Sequence, residues 1–366
     1  MRLLESVPLA ARTTLRLGGP ARWLAEVADV DDVRAALAFA RERGAPVAIL
    51  GGGSNTVAAD AGFPGLLLHP VGRAVHAEEV ASSEGGGIRV RAGAGLPWDE
   101  LCAFAVRRGW AGIAALSGIP GQVGAAPVQN IGAYGEQLAE VFESAEVFDV
   151  ERGVVERWDG TRAAFGYRQS AWKQAGEGRW LILAVTLRLR AEATAAARYP
   201  DLRAELQARG HDPDAAPLAA LRAAVLCVRG RKAMVCDPEQ SDSRSAGSFF
   251  VNPEVSPAAA EAAERALRAA GTLAQDEPLP SWPTTLAADG SARRKLSAAF
   301  LIERSGFRKG QRAETPGIAL SRRHVLALCH HGGGSADGLL AFAAQIAAGV
   351  EAATGIRLER EPRRLG

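Results

Sequence analysis

The chain has 366 residues, 48% of them hydrophobic and 23% charged, with 43 basic residues against 41 acidic ones. That length exceeds what one hydrophobic core usually serves, and a net charge of +2 leaves no electrostatic footprint for nucleic acid or an anionic membrane. No stretch approaches ~18 uninterrupted apolar residues and the amino-terminal segment lacks a signal-peptide pattern, so the expectation is a cytoplasmic protein that does not enter a membrane.

In chain order, residues 31–43 place Val33, Ala36, Leu37 and Ala40 at helical spacing behind an acidic first turn, and Gly44 ends that helix. PVAIL (46–50) reads as a buried strand that runs directly into GGGSN (51–55). IRVRAGAG (88–95) alternates as a strand, WDELCAFAVRRG (98–109) reads as a helix, and AEVFDV (145–150) and WLILAVTLRLR (180–190) read as strands. After Tyr199 the texture becomes alanine-rich and helical over 201–209, 217–228 and 257–270. The proline-rich segment 272–285 predicts an extended loop. Helix signals return over 295–306 and from about Ser335 to Thr354, where Leu339, Ala343, Ile346 and Val350 share a face. The pattern is a mixed α+β protein whose first ~190 residues form two lobes.

The cysteines Cys102, Cys227, Cys236 and Cys329 never form a CxxC pair and each adjoins apolar sequence, which predicts reduced, buried thiols and no metal site. His330 and His331 form a tempting metal pair, but solvated or capping histidines are the expected reading.

Two glycine-rich stretches carry the chemistry. Gly51, Gly52 and Gly53 let the chain turn sharply at a strand's carboxyl end and aim successive amides at one point, with Ser54 and Asn55 as short donors. The spacing is neither a P-loop nor a dinucleotide GxGxxG. The turn suits a diphosphate, and a tight strand exit is the plain alternative. Residues 117–137 add Ser117, Gly118, Gly121, Gly124, Gly132 and Gly135, stiffened by Pro120 and Pro127. Gln129 and Asn130 bring amides that match a flat heterocycle, and glycines bracket Tyr134. Together these stretches suit a long ligand with a central diphosphate and a polar ring, a dinucleotide cofactor of unspecified kind.

Six motifs occur in order: TTLRLGGPA (13–21), LGGGSN (50–55), SGIPGQVGAAPVQNIGAYGEQ (117–137), FGYRQSAWK (165–173), RSAGSFFVNP (244–253) and KLSAAFLIERSGF (295–307). Together they resemble the UDP-N-acetylenolpyruvoylglucosamine reductase (MurB) family, in its subgroup with a tyrosine substrate loop. The resemblance implies a two-lobed FAD-binding domain of the vanillyl-alcohol-oxidase type (lobes 1–75 and 76–197), followed by a smaller α+β substrate-binding domain (198–356). A tail, 357–366, would return to the active site. It further implies non-covalent FAD, NADPH as hydride donor, UDP-N-acetylglucosamine-enolpyruvate as substrate, and a monomer.

By the same resemblance, residues 51–55 would hold the flavin diphosphate, while 117–134 would line the diphosphate and the isoalloxazine. Arg168 would meet the substrate carboxylate, and Ser248 would be the proton donor. Glu361 would assist enolate stabilisation or proton delivery, with Glu359 as the neighbouring alternative. Tyr199 and Lys232 would contact substrate, as would Asn252; Arg229 and Arg231 compete with Lys232 for the diphosphate, and a core tyrosine is the alternative at 199. The sequence departs from the family pattern at Ala125, where glycine is common, and at Val251, where lysine is common. Two other readings stay open. One is an oxidase of the same superfamily, although no histidine for covalent flavin attachment occurs in 45–60 or 110–140. The other is a binding protein that has lost catalysis, against which the joint presence of Arg168, Ser248 and Glu361 argues.

Overall fold

Asp29 opens the first helix: its carboxylate accepts the Asp32 amide, and Val30–Glu42 follows with Val33, Ala36 and Ala40 buried on one face. In this computed structural model, which describes residues 1–81, 86–176, 178–284 and 291–366, that helix packs on Trp23, Ala25, Leu66 and Leu68. These residues belong to a four-stranded sheet ordered Arg2–Pro8, Pro20–Val27, Phe63–Pro70, Val47–Ile49. The first pair is antiparallel and the other two are parallel.

The chain divides into two units. The first comprises Met1–Pro8, Pro20–Ser54 and Gly62–Cys236; the second comprises Leu9–Gly19, Asn55–Ala61 and Asp237–Gly366.

In the first unit a second, antiparallel sheet runs Val154–Asp159, Phe142–Asp149, Trp180–Ala191, Ile88–Gly93, Val75–Glu79. Trp180–Ala191 lies at its centre, which is why its apolar run is nearly continuous: Leu181, Ile182, Ala184, Val185, Leu187 and Leu189 are all buried. The Trp98–Arg107 helix turns Trp98, Leu101, Cys102 and Ala105 into the same core. The helices Pro200–Ala208 and Leu218–Arg231 bury Leu202, Leu206, Leu221 and Val225 against Ala111, Ala114 and Ala115. This apolar seam holds residues 198–236 within the first unit, beyond the division at 198 that the sequence suggests.

The second unit gathers Leu15, Leu17 and Val57 around the helices Pro257–Ala269, Ala298–Arg304 and Ala336–Thr354. Ala336–Thr354 is long and apolar enough, by length and composition, to cross a membrane. Here Leu339, Phe342, Ala343, Ile346 and Val350 are buried in the unit's core. The proline-rich segment is not wholly a loop: Ser281–Pro283 pairs antiparallel with Arg294–Leu296 at the edge of a three-stranded sheet. Thr285 lies outside the described residues. The strand Arg363–Leu365 pairs in parallel with Thr56–Ala58. Cys102 and Cys329 are buried as expected, Cys227 is half-buried, and Cys236 corrects the expectation by being exposed beyond the end of its helix.

Candidate active site

In the first unit, the two glycine-rich stretches lie against each other. A β-carbon on Gly52 would come 2.7 Å from the Gly121 Cα, and one on Gly121 would come 2.8 Å from the Ser54 hydroxyl oxygen. Gly121 also has φ +121°, which L side chains rarely adopt. Gly124 approaches Ala94 and Gly118 approaches Leu226 in the same way, with added β-carbons at 2.5 and 2.8 Å. These glycines are therefore required by protein packed on protein, not only by space for a ligand.

The amides tell the same story. The Gly118 N–H donates to Asp99 Oδ1 at 2.6 Å and the Gly124 N–H donates to the Ala94 carbonyl at 3.0 Å. Both were expected to face a diphosphate; both are engaged within the protein. Asp99 is fixed in turn by a two-pronged bond from Arg222 at 2.6 and 2.7 Å. Burial alone would raise the Asp99 carboxyl, but Arg222 and the Gly118 amide outweigh it and hold the group below its usual range.

Asn130 is 2% exposed and sits at φ 42° in the left-handed region. Its amide nitrogen donates to the Gly166 carbonyl at 3.0 Å, and its Oδ1 accepts the Ala139 N–H at 3.0 Å. These bonds clamp the 130 turn to the 166–169 turn. That second turn carries Arg168, at φ 53°, whose guanidinium donates to the Asn130 carbonyl at 3.1 Å and the Gly132 carbonyl at 2.6 Å. A β-carbon on Gly132 would lie 3.0 Å from both Gln137 Cγ and the Glu136 carbonyl oxygen and 3.1 Å from Arg168 Nη1, so the glycine there makes room for the paired strand and for the arginine. Lys173 donates to the Arg168 carbonyl at 2.9 Å and holds the turn from the other side.

Three observations in this unit fit FAD. Gln129 is 8% exposed and its Oε1 is buried with no hydrogen-bond partner among the described residues. The Oε1 of Gln122 is in the same state, and a β-carbon on Gly51 would sit 3.6 Å from it. Burying a carbonyl oxygen without a donor costs about 1–3 kcal/mol, so a partner rich in N–H and O–H groups is the natural complement. The ribityl hydroxyls and the ring N–H of a flavin supply such donors beside the Gly51–Ser54 turn. Gln122 is absent from the sequence-based candidates; an amide set among glycines was the available signal.

Tyr134 and Tyr199 meet edge to face, with ring centroids 5.8 Å apart and planes at 84°. Tyr199 is 46% exposed, which removes the core-tyrosine alternative. Burial pushes the Tyr134 hydroxyl above its ordinary pKa. Lys232 lies just past the Leu218–Arg231 helix and pairs with Asp201 at 2.6 Å, while Arg231 pairs with Glu205 at 2.8 Å. Arg229 is deeper: its Nη2 donates to the Met234 carbonyl at 2.7 Å, and its Nε is buried with no partner among the described residues.

In the second unit, Gly247, at φ 71°, turns the chain into half-buried Ser248 and then into the buried Phe249 and Phe250. The carboxyl-terminal segment runs antiparallel beside it. The Glu361 N–H donates to the Phe249 carbonyl at 3.0 Å, and the Val251 N–H donates to the Glu359 carbonyl at 3.0 Å. Glu361 is therefore the nearer glutamate to Ser248 along the ladder; Glu359 is exposed and two residues farther away.

Asn55 donates to the Glu361 carbonyl at 3.3 Å and accepts the Arg363 N–H at 3.1 Å through its own carbonyl. These bonds fasten the tail. Asn252 uses Oδ1 to accept the Ala298 N–H at 3.0 Å, at the start of the Ala298–Arg304 helix.

His330 is 8% exposed, so of the two expected readings, solvated or capping, the solvated one does not hold for it. Its Nδ1 lies 3.1 Å from the Leu15 carbonyl and its Nε2 accepts the Gly334 N–H at 3.3 Å, which fixes the neutral Nδ1–H tautomer. Burial holds it below the ordinary histidine range. His331 Nε2 bonds Asp242 Oδ1 at 2.8 Å, and Arg322 bonds the same carboxylate at 3.2 Å. Cys329 completes a group whose ligand atoms lie within 4.8 Å of one another. Its thiol donates to the Asp242 carbonyl at 3.1 Å and is pushed up to about 12 by burial and by Asp242. With Arg322 and His331 already on the carboxylate and the thiol bonded to the Asp242 carbonyl, the group is a hydrogen-bonded cluster.

Comparison with known proteins bears on these two units separately. A family model described as "FAD binding domain" matches residues 21–159, and one described as "UDP-N-acetylenolpyruvoylglucosamine reductase, C-terminal domain" matches residues 237–365. The UDP-N-acetylenolpyruvoylglucosamine reductase of Thermobifida fusca is 40% identical over 363 residues, covering 99% of this chain and 98% of that protein. The protein of the same name from Leifsonia xyli is 41% identical over 383 residues, covering 97% of each. The crystal structure of the Thermus caldophilus reductase superposes with a TM-score of 0.60 at 23% identity, covering 100% of this chain and 98% of that one, a likeness of fold. An FAD-binding domain thus precedes the reductase-specific carboxyl-terminal domain in one mixed α+β chain, and the protein belongs to the UDP-N-acetylenolpyruvoylglucosamine reductase family of flavoenzymes.

Proposed function

We propose that the protein reduces the enolpyruvyl ether of UDP-N-acetylglucosamine-enolpyruvate to UDP-N-acetylmuramate, a step in making peptidoglycan precursors, with NADPH as electron donor and non-covalent FAD. The observation that carries this reading is the Glu361 N–H bond to the Phe249 carbonyl, which lays the tail's glutamate along the segment that begins with Ser248. The near-full-length kinship to reductases of that name supports it.

Bound FAD supplies hydride transfer between the nicotinamide and the substrate's double bond. Gln129 and Gln122 would hold it, together with the Gly51–Gly53 and Ser54 turn and the 117–134 stretch. The protein's own work begins when hydride adds to the CH₂ carbon and charge develops on the substrate carboxylate. Arg168 meets that carboxylate with a planar fork of donors, pre-oriented by the carbonyls of Asn130 and Gly132. Ser248 delivers a proton to the neighbouring carbon, and Glu361 assists that delivery or steadies the enolate. Serine is a weak acid by itself, so neighbouring positive charge or a proton relay must ease its deprotonation. Tyr199, Lys232 and Asn252 contact the nucleotide sugar, with the Arg229 Nε, which has no partner among the described residues, as a further diphosphate donor. The protein works as a cytoplasmic monomer without nucleic acid or membrane partners.

The test is a coupled one. Purified protein should be yellow, should bleach with NADPH, and should consume NADPH in proportion to added enolpyruvyl nucleotide sugar. Colourless protein that refuses FAD, or turnover independent of the nucleotide sugar, overturns the reading.

A further inference from the structure

Beside Tyr199, the helices Pro200–Ala208 and Leu218–Arg231 border a cavity of about 410 Å³ lined by Asp201, Ala204, Glu205, Val228, Arg231 and Lys232. Two ion pairs line it, and they differ. Glu205 is 11% exposed and is shared between Arg231 at 2.8 Å and Arg209 at 2.7 Å, so its carboxylate is held from two sides. Asp201 and Lys232 are 50% and 40% exposed and meet at 2.6 Å. An exposed pair of this kind is weak, because water solvates each partner nearly as well. Lys232 also follows the carboxyl end of its helix, where the exposed carbonyls favour a cation whatever its partner.

Asp201 is two residues from Tyr199. Tyr199 starts the helix, accepting the N–H groups of Leu202 and Arg203 at 3.1 and 3.0 Å, while Asp201 lies in the first turn. A carboxylate there is favoured by the helix's own amides, so Asp201 can lose Lys232 without unravelling the turn. The pair therefore ties the Tyr199 end of one helix to the end of another through a contact that is easily exchanged. A phosphate oxygen presents the same charge to the ammonium as a carboxylate does.

We propose that Asp201 is a positioning residue that competes with the substrate for Lys232: in the free protein it holds Lys232 and, through the helix start, Tyr199, and the substrate diphosphate displaces it. This inference rests on the function proposed above. Asp201 would act as an internal stand-in for the diphosphate, keeping Lys232 extended into the cavity and tying release of Tyr199 to the arrival of the right anion.

The test uses the oxidised holoenzyme without NADPH, titrated with UDP-N-acetylglucosamine-enolpyruvate and followed by the change in flavin absorbance. Asp201→Asn removes the competitor and should tighten binding by about two- to fivefold, the range an exposed ion pair spans. Lys232→Met should weaken binding and make Asp201→Asn silent in its background. A merely structural Asp201 would give weaker binding on substitution, which overturns the proposal. Equal tightening in the Lys232→Met background also overturns it, because the effect would then be a general change of charge. Wild-type protein that fails to bind the nucleotide sugar at all overturns the proposed function along with this exchange, whereas tight wild-type binding with no gain in Asp201→Asn overturns the exchange alone.

Discussion

The Arg168 guanidinium lies 2.6 Å from the Gly132 carbonyl oxygen, near enough that any side chain at 132 would press on it. Gly132→Ala should therefore act on the arginine, and also on the Glu136 carbonyl and Gln137, which a β-carbon would meet at 3.0 Å. Displacing a catalytic cation by a fraction of an ångström to an ångström costs on the order of 10- to 100-fold in rate. The expected result is that loss in kcat/KM for the nucleotide sugar, with flavin reduction by NADPH unchanged. Arg168→Lys should match or exceed it, since a single ammonium cannot reach both carbonyls and meet a carboxylate as a fork does. Stopped-flow measurement of the two half-reactions decides, and equal damage to both contradicts the assigned role.

Ser248→Ala should separate the half-reactions still more sharply. Removing a proton donor typically costs 10²- to 10⁴-fold, and here the loss should fall on flavin reoxidation by substrate alone. Reduction by NADPH is expected to proceed at close to the wild-type rate.

Asn130→Ala should destabilise the first unit. It strands the Ala139 N–H and the Gly166 carbonyl in a part-buried setting that water reaches in part, at a cost of about 1–3 kcal/mol for the two groups. Asn130→Gly, which accepts a φ of 42° without strain, should recover only the smaller backbone share. Denaturant unfolding of the three proteins measures this; a fully stable glycine variant would show that the hydrogen bonds contribute little.

His330 predicts a pH dependence on the acid side. Its folded pKa lies below the ordinary value of 6.5, so the folded protein favours the neutral ring while the unfolded chain takes up a proton more readily. The stabilising contribution is complete above pH 6.5 and is lost as pH falls through the folded value, when a proton on Nε2 also breaks the bond from the Gly334 N–H. His330→Gln should be less stable than wild type at pH 7.5 and should lose less stability between pH 7.5 and 5.5. Parallel unfolding curves at the two pH values test this.

Regular elements were legible where periodicity had one dominant cause. The helix at Val30–Glu42 carries its cap, its apolar face and its stop in local sequence, and the central strand Trp180–Ala191 betrays double burial by its apolar run. The glycine-rich stretches were harder to read. Sequence shows that something approaches the backbone but not what; at Gly52 it is Gly121 and at Gly132 it is Glu136, Gln137 and Arg168 together. Asn130 and Asn55 looked like ligand donors because an amide among glycines is ambiguous. Their partners, Gly166 and the tail at Glu361, lie 36 and 306 residues away, beyond any local signal. The grouping of residues 198–236 with the first unit was hard to read for a similar reason: alanine-rich helices show where they are apolar, not which core receives them.

The last strand, Arg363–Leu365, lies beside Thr56–Ala58, so the second unit is stitched from residues near both extremes of the chain. During synthesis, Leu15, Leu17 and Val57 leave the ribosome some 200 or more residues before the helices that bury them, at about 5–20 residues per second. The first unit can collapse on the nascent chain, but the second has no complete partner set until its final strand has emerged. Chaperone dependence and aggregation during expression should accordingly track the second unit, and a fusion placed directly after Leu365 burdens the step that finishes it.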